Sequence, residues 1–177
     1  SYERNEDGEG ETRININTAD EEKLKDRLGD VLDSQQIKSI VDFREGKDDA
    51  YGNIGKLLDV SGIDKDDFKK ISDWVTMNDN DIHFGRINLN TAPKEVLLTV
   101  FRENEKEVDE IILYRDSDKG TLQNLGDLLE VKGIDKEVFQ KHCSFLTVYS
   151  STFEVLSVGY LEKNKTMSMV KAVLDRG

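Results

Sequence analysis

The side chains that could carry out chemistry are few and scattered along this sequence. His83 stands between two repeated halves, His142 stands late in the second half, and Cys143 directly follows it. Because adjacent positions of a helix point in different directions, His142 and Cys143 do not form a base and its nucleophile. The sequence also has no glycine-rich phosphate loop, nucleophile elbow or zinc-ligand spacing. It therefore predicts a protein that is not an enzyme.

One acidic loop raises the question of calcium. The run Asp116-Ser117-Asp118-Lys119-Gly120 resembles the beginning of a calcium-binding loop. An EF-hand needs a glutamate at its twelfth position, and Asp127 stands there instead. We favour a solvated turn, and the acidic run Glu6–Glu9 is likewise typical of a solvated segment. We expect no cofactor, with calcium as the one metal left open.

Two blocks of the sequence occur twice, in the same order. Arg13–Ala19 returns as Arg86–Ala92, and Gly55–Lys65 returns as Gly126–Lys136. Two ordered repeats indicate an internal duplication. The first block carries a pair of asparagines in each copy, for which a structural role is favoured because Asn and Thr bond backbone groups at turns. These are Asn15, Asn17, Asn88 and Asn90.

Each copy is predicted to contain four short helices. The first follows Thr18, which makes a capping box with Glu21, and in the second copy Thr91 takes that role with Pro93 in the first turn. Apolar residues at helical spacing mark all four helices. In the first copy they are Leu24, Leu28, Leu32, Ile37, Ile40, Val41, Ile54, Leu57, Leu58, Phe68, Ile71 and Val75; in the second they are Val96, Leu97, Val100, Phe101, Val108, Ile111, Ile112, Leu125, Leu128, Leu129, Phe139 and Phe145.

The last two helices of each copy are joined by a short hairpin, which makes them a helix-hairpin-helix unit. Gly62 and Gly133 suit the left-handed conformation that ends a helix, and Asp64 and Asp135 suit the cap of the next helix. Many such units bind DNA, through a Gly-hydrophobic-Gly turn that offers backbone N–H groups to a phosphate. Here an aspartate replaces the second glycine in both copies, and the following Lys65 or Lys136 offsets it only in part. The hairpins therefore argue against DNA binding.

The charge of the chain points the same way. The 177 residues include 25 Lys and Arg against 37 Asp and Glu, a net charge of −12. An acidic surface repels phosphate backbones and anionic lipid heads, so we expect neither nucleic acid nor a membrane surface as a partner of this soluble part. The single cysteine, Cys143, excludes an intramolecular disulfide.

The end of the chain follows a different pattern. Residues 152–160 and 167–173 alternate between apolar and other positions around the turn Glu162–Lys165, which predicts a β-hairpin. A lone hairpin is marginal, so we expect a strand near the N-terminus to complete its sheet. The predicted organisation is a segment at 1–12, helical modules at 13–77 and 86–149, a linker at 78–85, and the hairpin at 150–177. The fold class is α+β and predominantly helical, with two tandem helix-hairpin-helix (SAM-like) modules inserted in a small antiparallel sheet.

The order of these segments resembles the type II secretion protein K family, the large minor pseudopilins. The resemblance lies in Asp7–Gly10 leading into Ile14–Ala19, in Ile87–Pro93, in Ser151–Val155 and in Val170–Arg176. It implies a pilin-like sheet and a subunit that caps the pseudopilus tip and helps to start its assembly. It also implies the other minor pseudopilins of the tip complex as partners, with a secreted substrate as a further one. The implied location is the periplasm, with an inner-membrane anchor provided by an N-terminal helix that this chain lacks.

Two departures from that family stand beside the resemblance. Its members commonly carry a Trp-Arg-Asp-like stretch after the second helix, where this chain has Phe43–Asp48, and no calcium-ligand set can be carried over. The alternative is a competence-type DNA receptor, which also has an Asn-x-Asn-Thr-Ala stretch before a helix-hairpin-helix. The C-terminal hairpin, the missing second glycine and the negative charge favour the pseudopilin.

Overall fold

Short helices and two-stranded sheets alternate along the chain in a computed structural model. The structure describes residues 2–45, 50–102, 104–117, 120–150, 152–161 and 166–175. The predicted turn Glu162–Lys165 and part of the Phe43–Asp48 stretch lie outside these residues.

Each repeat folds into a module of three α-helices and a 3₁₀ segment, with a second 3₁₀ segment in the second module, and a pair of parallel two-residue strands closes each module. The first module consists of β2 (Ile14–Asn15), α1 (Glu21–Leu28), α2 (Ser34–Arg44), a 3₁₀ segment (Ile54–Asp59), α3 (Lys65–Ile71) and β3 (Val75–Thr76). The second consists of β5 (Ile87–Asn88), α4 (Lys94–Phe101), α5 (Glu105–Arg115), a 3₁₀ segment (Leu125–Glu130), α6 (Lys136–His142), a second 3₁₀ segment (Cys143–Phe145) and β6 (Leu146–Thr147). In the described residues, no helix is long and apolar enough to cross a membrane.

The repeated asparagines close each module over a long distance. Asn15 accepts a bond from the backbone N–H of Asn17, which is the local turn that the sequence predicts. The side chain of Asn17 then bonds the backbone of Tyr51 and Met77, which joins the beginning, middle and end of the module. Asn90 repeats these bonds with Leu122 and Val148. Their structural role is therefore confirmed. The turn prediction did not include the bonds to backbone groups more than 30 residues away.

One arginine in each module holds the corner before the first helix. Arg115 donates to the carbonyls of Leu89 and Ala92 at 2.7 and 2.8 Å. Arg44 makes the equivalent bonds to Ile16 and Ala19 in the first module. These carbonyls belong to the Asn-x-Asn-Thr-Ala corner, so the arginines satisfy backbone groups that no strand or helix satisfies.

The first helices begin later than the sequence predicts. The N-cap of α1 is Asp20, whose carboxylate accepts from the N–H of Lys23, and Thr18 does not cap it. In the second module the N-cap position is Pro93, so the predictions for Thr91 as a cap and for Pro93 inside the first turn are wrong. Asp20 caps α1 in place of Thr18 because it is next to the helix, and its carboxylate reaches the N–H of Lys23, the third residue of the helix.

At the module ends, the predicted helix for Val75 and the predicted burial of Phe145 are wrong. Val75 is buried, but it lies in β3 rather than in the last helix. Phe145 is 56% exposed, and the residue that matches Val75 is Leu146, which pairs with Ile87 in β5 and β6. The helical period does not continue past the ends of α3 and α6, because Val75 already lies in a strand and Phe145 ends a 3₁₀ segment.

The remaining strands lie outside the modules. β1 (Tyr2–Arg4) pairs antiparallel with β4 (Ile82–Phe84), and β7 (Thr152–Leu161) pairs antiparallel with β8 (Thr166–Asp175). Among the described residues, the expected sheet of the N-terminal strand with the C-terminal hairpin is not formed, because β1 pairs with the segment between the modules. The structure thus gives no support to a pilin-like sheet around the modules.

The core of each module is expected to tolerate truncation poorly. Leu57 and Leu128 are equivalent and fully buried. Replacing either with Ala should lower the free energy of unfolding by about 2–5 kcal/mol, because a cavity is left in a closely packed interior. Leu113→Ala is the control, since Leu113 is 64% exposed and should change stability by less than about 0.5 kcal/mol. Chemical denaturation measures all three; equal effects of Leu57→Ala and Leu113→Ala would contradict this core.

Candidate interaction surfaces

The hairpin of the first module is occupied by its own side chains. Gly62 has a positive φ of 87°, which confirms the left-handed turn. Asp64 caps α3 by accepting from the N–H of Asp67, and Asp67 returns toward the N–H of Asp64. Gln36 from α2 donates to the carbonyl of Gly62 and to the carboxylate of Asp67, both at 2.7 Å. The N–H groups that would meet a phosphate therefore face the molecule's own carboxylates.

The hairpin of the second module is equally acidic. Gly133 has a φ of 86°, and Asp135 caps α6 by accepting from the N–H of Val138 at 2.9 Å. A Cβ placed on Gly133 would lie 3.8 Å from a carboxylate oxygen of Glu107, so a second acid borders the turn. Both hairpins thus carry negative charge where a phosphate-binding hairpin carries open N–H groups.

The two modules pack against each other through equivalent parts. Phe68 of α3 meets Phe139 of α6 edge to face, with ring centroids 5.3 Å apart. Around this pair the contacts are reciprocal: Lys65 bonds Glu130 at 3.3 Å, and the equivalent Lys136 bonds the equivalent Asp59 at 2.8 Å. The interface is therefore a pseudo-twofold one, in which the last helix of each module packs on the 3₁₀ segment of the other.

Glycines allow this close approach. A Cβ on Gly126 would lie 2.7 Å from the Cα of Lys69, and one on Gly55 would lie 3.1 Å from the ring of Phe139. The backbone N–H of Gly126 donates to Ser72, and Gln140 donates to the carbonyl of Gly55. Helices α3 and α6, which follow the hairpins, therefore contact the other module of the same chain.

Strand β1 places a buried carboxylate, that of Glu3, between the two modules. Glu3 bonds Arg13 of the first module at 2.6 Å and the equivalent Arg86 of the second at 2.9 Å. Burial alone would raise the pKa of the Glu3 carboxyl, but the two guanidinium groups outweigh it and hold that pKa below its usual value. Asp73 pairs with Arg13 from the other side at 2.9 Å. Glu3 thereby ties equivalent arginines of both modules together.

His83, His142 and Cys143, which were weighed for chemistry, contact different neighbours. His83 lies in β4, beside Arg86 and Glu3, whereas His142 packs against Phe101 with ring centroids 4.6 Å apart. Cys143 is buried, which raises the pKa of its thiol, and it contacts Asn53 and Gln140. Among the described residues, no group of three or more His, Cys, Asp or Glu is placed to hold a metal ion. Asp118 of the calcium-like loop lies outside that part of the chain.

The strands β7 and β8 form a ribbon of two strands, each ten residues long, that exposes apolar side chains on both faces. Its first face carries apolar residues toward the tip, and we call these five the tip patch: Leu156, Val158, Tyr160, Met167 and Met169. Nearer the base, the same face carries the ion pair of Glu154 with Lys171 at 2.7 Å.

The second face of the ribbon has the opposite arrangement. Its apolar side chains extend from the base to the middle of the ribbon, with Phe153 opposite Leu174, Val155 opposite Ala172 and Val170 opposite Ser157. Toward the tip it carries Gly159 opposite Ser168, which are small. The ribbon therefore presents two apolar areas, one on each face.

Comparison with known proteins identifies the family. The helix-hairpin-helix motif family matches residues 9–76 and again residues 83–147, so most of the chain belongs to that family. The chain is also similar to endonuclease/exonuclease/phosphatase family domain-containing protein 1 of Xenopus laevis, with 28% identity over 151 residues. The alignment covers 73% of this chain and 26% of that protein, so the chain spans about a quarter of its relative's length. No solved structure matches the chain at a significant level.

These matches correct the family expected from the sequence. The type II secretion protein K family does not appear among them, and the matched family and relative are of another kind. The resemblance was carried by the Asn-x-Asn-Thr-Ala corners and the order of the segments. Those corners close both helix-hairpin-helix modules of this chain, as the bonds of Asn17 and Asn90 show. The periplasmic location and the partners it implied rested on the same residues and stay predictions.

Two buried histidines predict acid sensitivity. The Nε2 atoms of His83 and His142 have no hydrogen-bond partner among the described residues. Burial lowers the pKa of both, assisted by Arg86 at His83 and by Lys141 at His142. The unfolded chain, with a histidine pKa of about 6.5, then binds more protons than the folded one. Stability should be complete above that pH and should decline as the pH falls below it.

Denaturation of the chain at about pH 7.5 and about pH 5.5 measures the effect, in a window above the titration of the carboxylates. The double variant His83→Gln, His142→Gln is expected to lose this pH dependence, whatever its absolute stability. A wild-type unfolding free energy that is the same at both values would contradict the assignment.

Proposed function

We propose that this chain is a non-enzymatic protein-binding unit, in which two helix-hairpin-helix modules form a scaffold that presents the β7–β8 ribbon to another polypeptide. The observation that carries the proposal is the ribbon itself. It exposes apolar side chains on both faces along ten residues of each strand. A two-stranded ribbon is marginal on its own, and exposed apolar patches of this kind are typical of interaction sites.

The modules support a scaffold role because their polar groups are used internally. The asparagine and arginine side chains of the repeats bond backbone carbonyls, and the capping aspartates bond the hairpin N–H groups. The reciprocal packing of α3 and α6 fixes one module on the other. What such a unit offers to solvent is an acidic surface and the ribbon.

Nucleic-acid binding is the second candidate, and the comparisons favour it. Helix-hairpin-helix units often bind DNA, and the relative's name includes an endonuclease/exonuclease/phosphatase domain. Against it stand the net charge of −12 and the carboxylates of Asp64 and Asp135 at the two hairpins. Bonds from lysine or arginine to phosphate would have to overcome both, and every such bond would make the affinity more sensitive to salt.

Site-specific crosslinking in cells that express the protein separates the two candidates. A photoreactive benzoylphenylalanine in place of Tyr160, which is 61% exposed on the ribbon, is expected to crosslink to protein. The same group in place of Leu113 on α5, which is 64% exposed, is the matched control and should give no product. Absence of a protein product at position 160 would contradict the proposal.

A titration with duplex DNA at physiological salt tests the nucleic-acid candidate. The proposal predicts no binding in the micromolar range. Tight, salt-sensitive binding that is lost in Lys65→Ala, Lys136→Ala would favour nucleic acid instead, because those lysines follow the two hairpins.

A further inference from the structure

The tip patch of the ribbon has a composition that restricts what can cover it. All five side chains are apolar or aromatic, and each is more than half exposed. The charged residue that borders them in the described part of the ribbon is Lys171, which lies opposite Leu156. The nearest charges on that face, Glu154 and Lys171, neutralise each other at 2.7 Å. A partner therefore gains nothing from charge at this patch and must offer an apolar, flat surface of similar size.

We infer that a second copy of this chain covers the tip patch, so that two ribbons pack face to face in a weak homodimer. The inference rests on the proposed function, since it names the partner of the same ribbon. A strand ribbon offers its own flat apolar face as the matching surface, and sheets pack in this way at a spacing of roughly 10 Å. The two methionines, Met167 and Met169, can adapt their shape to such a contact.

The distribution of charge favours the ribbon as the place where two copies meet. Residues 1–149 carry 21 Lys and Arg against 34 Asp and Glu, a net charge of −13, whereas residues 150–177 carry four against three, a net charge of +1. Two copies repel each other through their modules, and this repulsion falls with distance. Ten residues span roughly 33 Å in a strand, so contact at the tips keeps the acidic modules apart.

The size of the patch sets the strength of the dimer. Five side chains of this kind offer on the order of a few hundred Å² per copy, which is the most that monomeric proteins usually leave exposed. A standard stable interface buries about 800 Å² per partner. The dimer should therefore dissociate in the micromolar range, and dilution should separate the copies.

Sedimentation velocity of the full chain between about 1 and 200 µM tests the inference. The wild type is expected to shift from monomer to dimer over this range. Val158→Glu and Met169→Lys, which lie opposite each other in the patch, should each weaken dimerisation at least about tenfold, because each places two like charges in the contact. An equimolar mixture of the two variants should regain dimers through the opposite charges.

Matched controls lie one position away on the other face. Ser157→Glu and Ser168→Lys add the same charges to the same strands but point away from the patch, and they should leave the dimer unchanged. The helical circular dichroism signal reports that the modules remain folded in every variant. Equal weakening by the control pair, or a dimer that Val158→Glu does not affect, would overturn the inference.

The failure of this inference can be told from the failure of the proposed function. A wild type that is monomeric at every concentration, with a crosslinked product at position 160 of a mass other than twice the chain, would overturn the homodimer and keep the ribbon as a protein-binding site. The absence of a protein product at position 160 would contradict both the homodimer and the proposed protein-binding function.

Discussion

The packing of each module's last helix on the other module's 3₁₀ segment is the interaction on which the rest of the structure depends. The Phe68 and Phe139 rings meet at its centre, and the reciprocal lysine–acid pairs surround them. Single modules of about 65 residues bury limited apolar surface. Joining two of them by a pseudo-twofold contact extends the core, and the Glu3 carboxylate adds a bond to both modules at once.

That contact has a consequence for function. The helices that follow the hairpins, α3 and α6, serve the interface and carry acidic caps, so the part of a helix-hairpin-helix unit that could meet a phosphate is engaged within the chain. The β7–β8 ribbon is outside this contact, and its near-neutral charge contrasts with the acidic modules.

Much of this fold could be predicted from the sequence, because its signals are local. Helical spacing placed Leu57 and Leu128 in the core, and the glycine and aspartate of each hairpin predicted its turn and cap. The ends of elements were harder: Phe145 continued a helical period in a segment that had already left the helix. Strand partners were hardest of all. Pairing of β1 with β4 depends on residues about 80 positions apart, and nothing in a strand of three residues specifies its partner.

The interaction surface was predicted in part. Alternation identified the ribbon and its need for cover, but a third strand from the N-terminus was the wrong source of that cover, since β1 is used elsewhere. Equally, the order of segments was not enough to identify a family, because the Asn17 and Asn90 corners are accounted for by the closing of each module. Family assignment needed comparison over whole modules.

In the part of the chain that the structure describes, no other segment covers the exposed side chains of the ribbon, and amide hydrogen exchange of the dilute monomer tests this. Amides of β7 and β8 should then exchange at close to the rate of an unstructured chain. Amides of the module cores, such as those of Ile40 and Leu57, should exchange slower by a factor of at least about 10³, because they open only with the module. Protection of the ribbon as strong as that of the module cores, in a chain shown to be monomeric, would contradict the account.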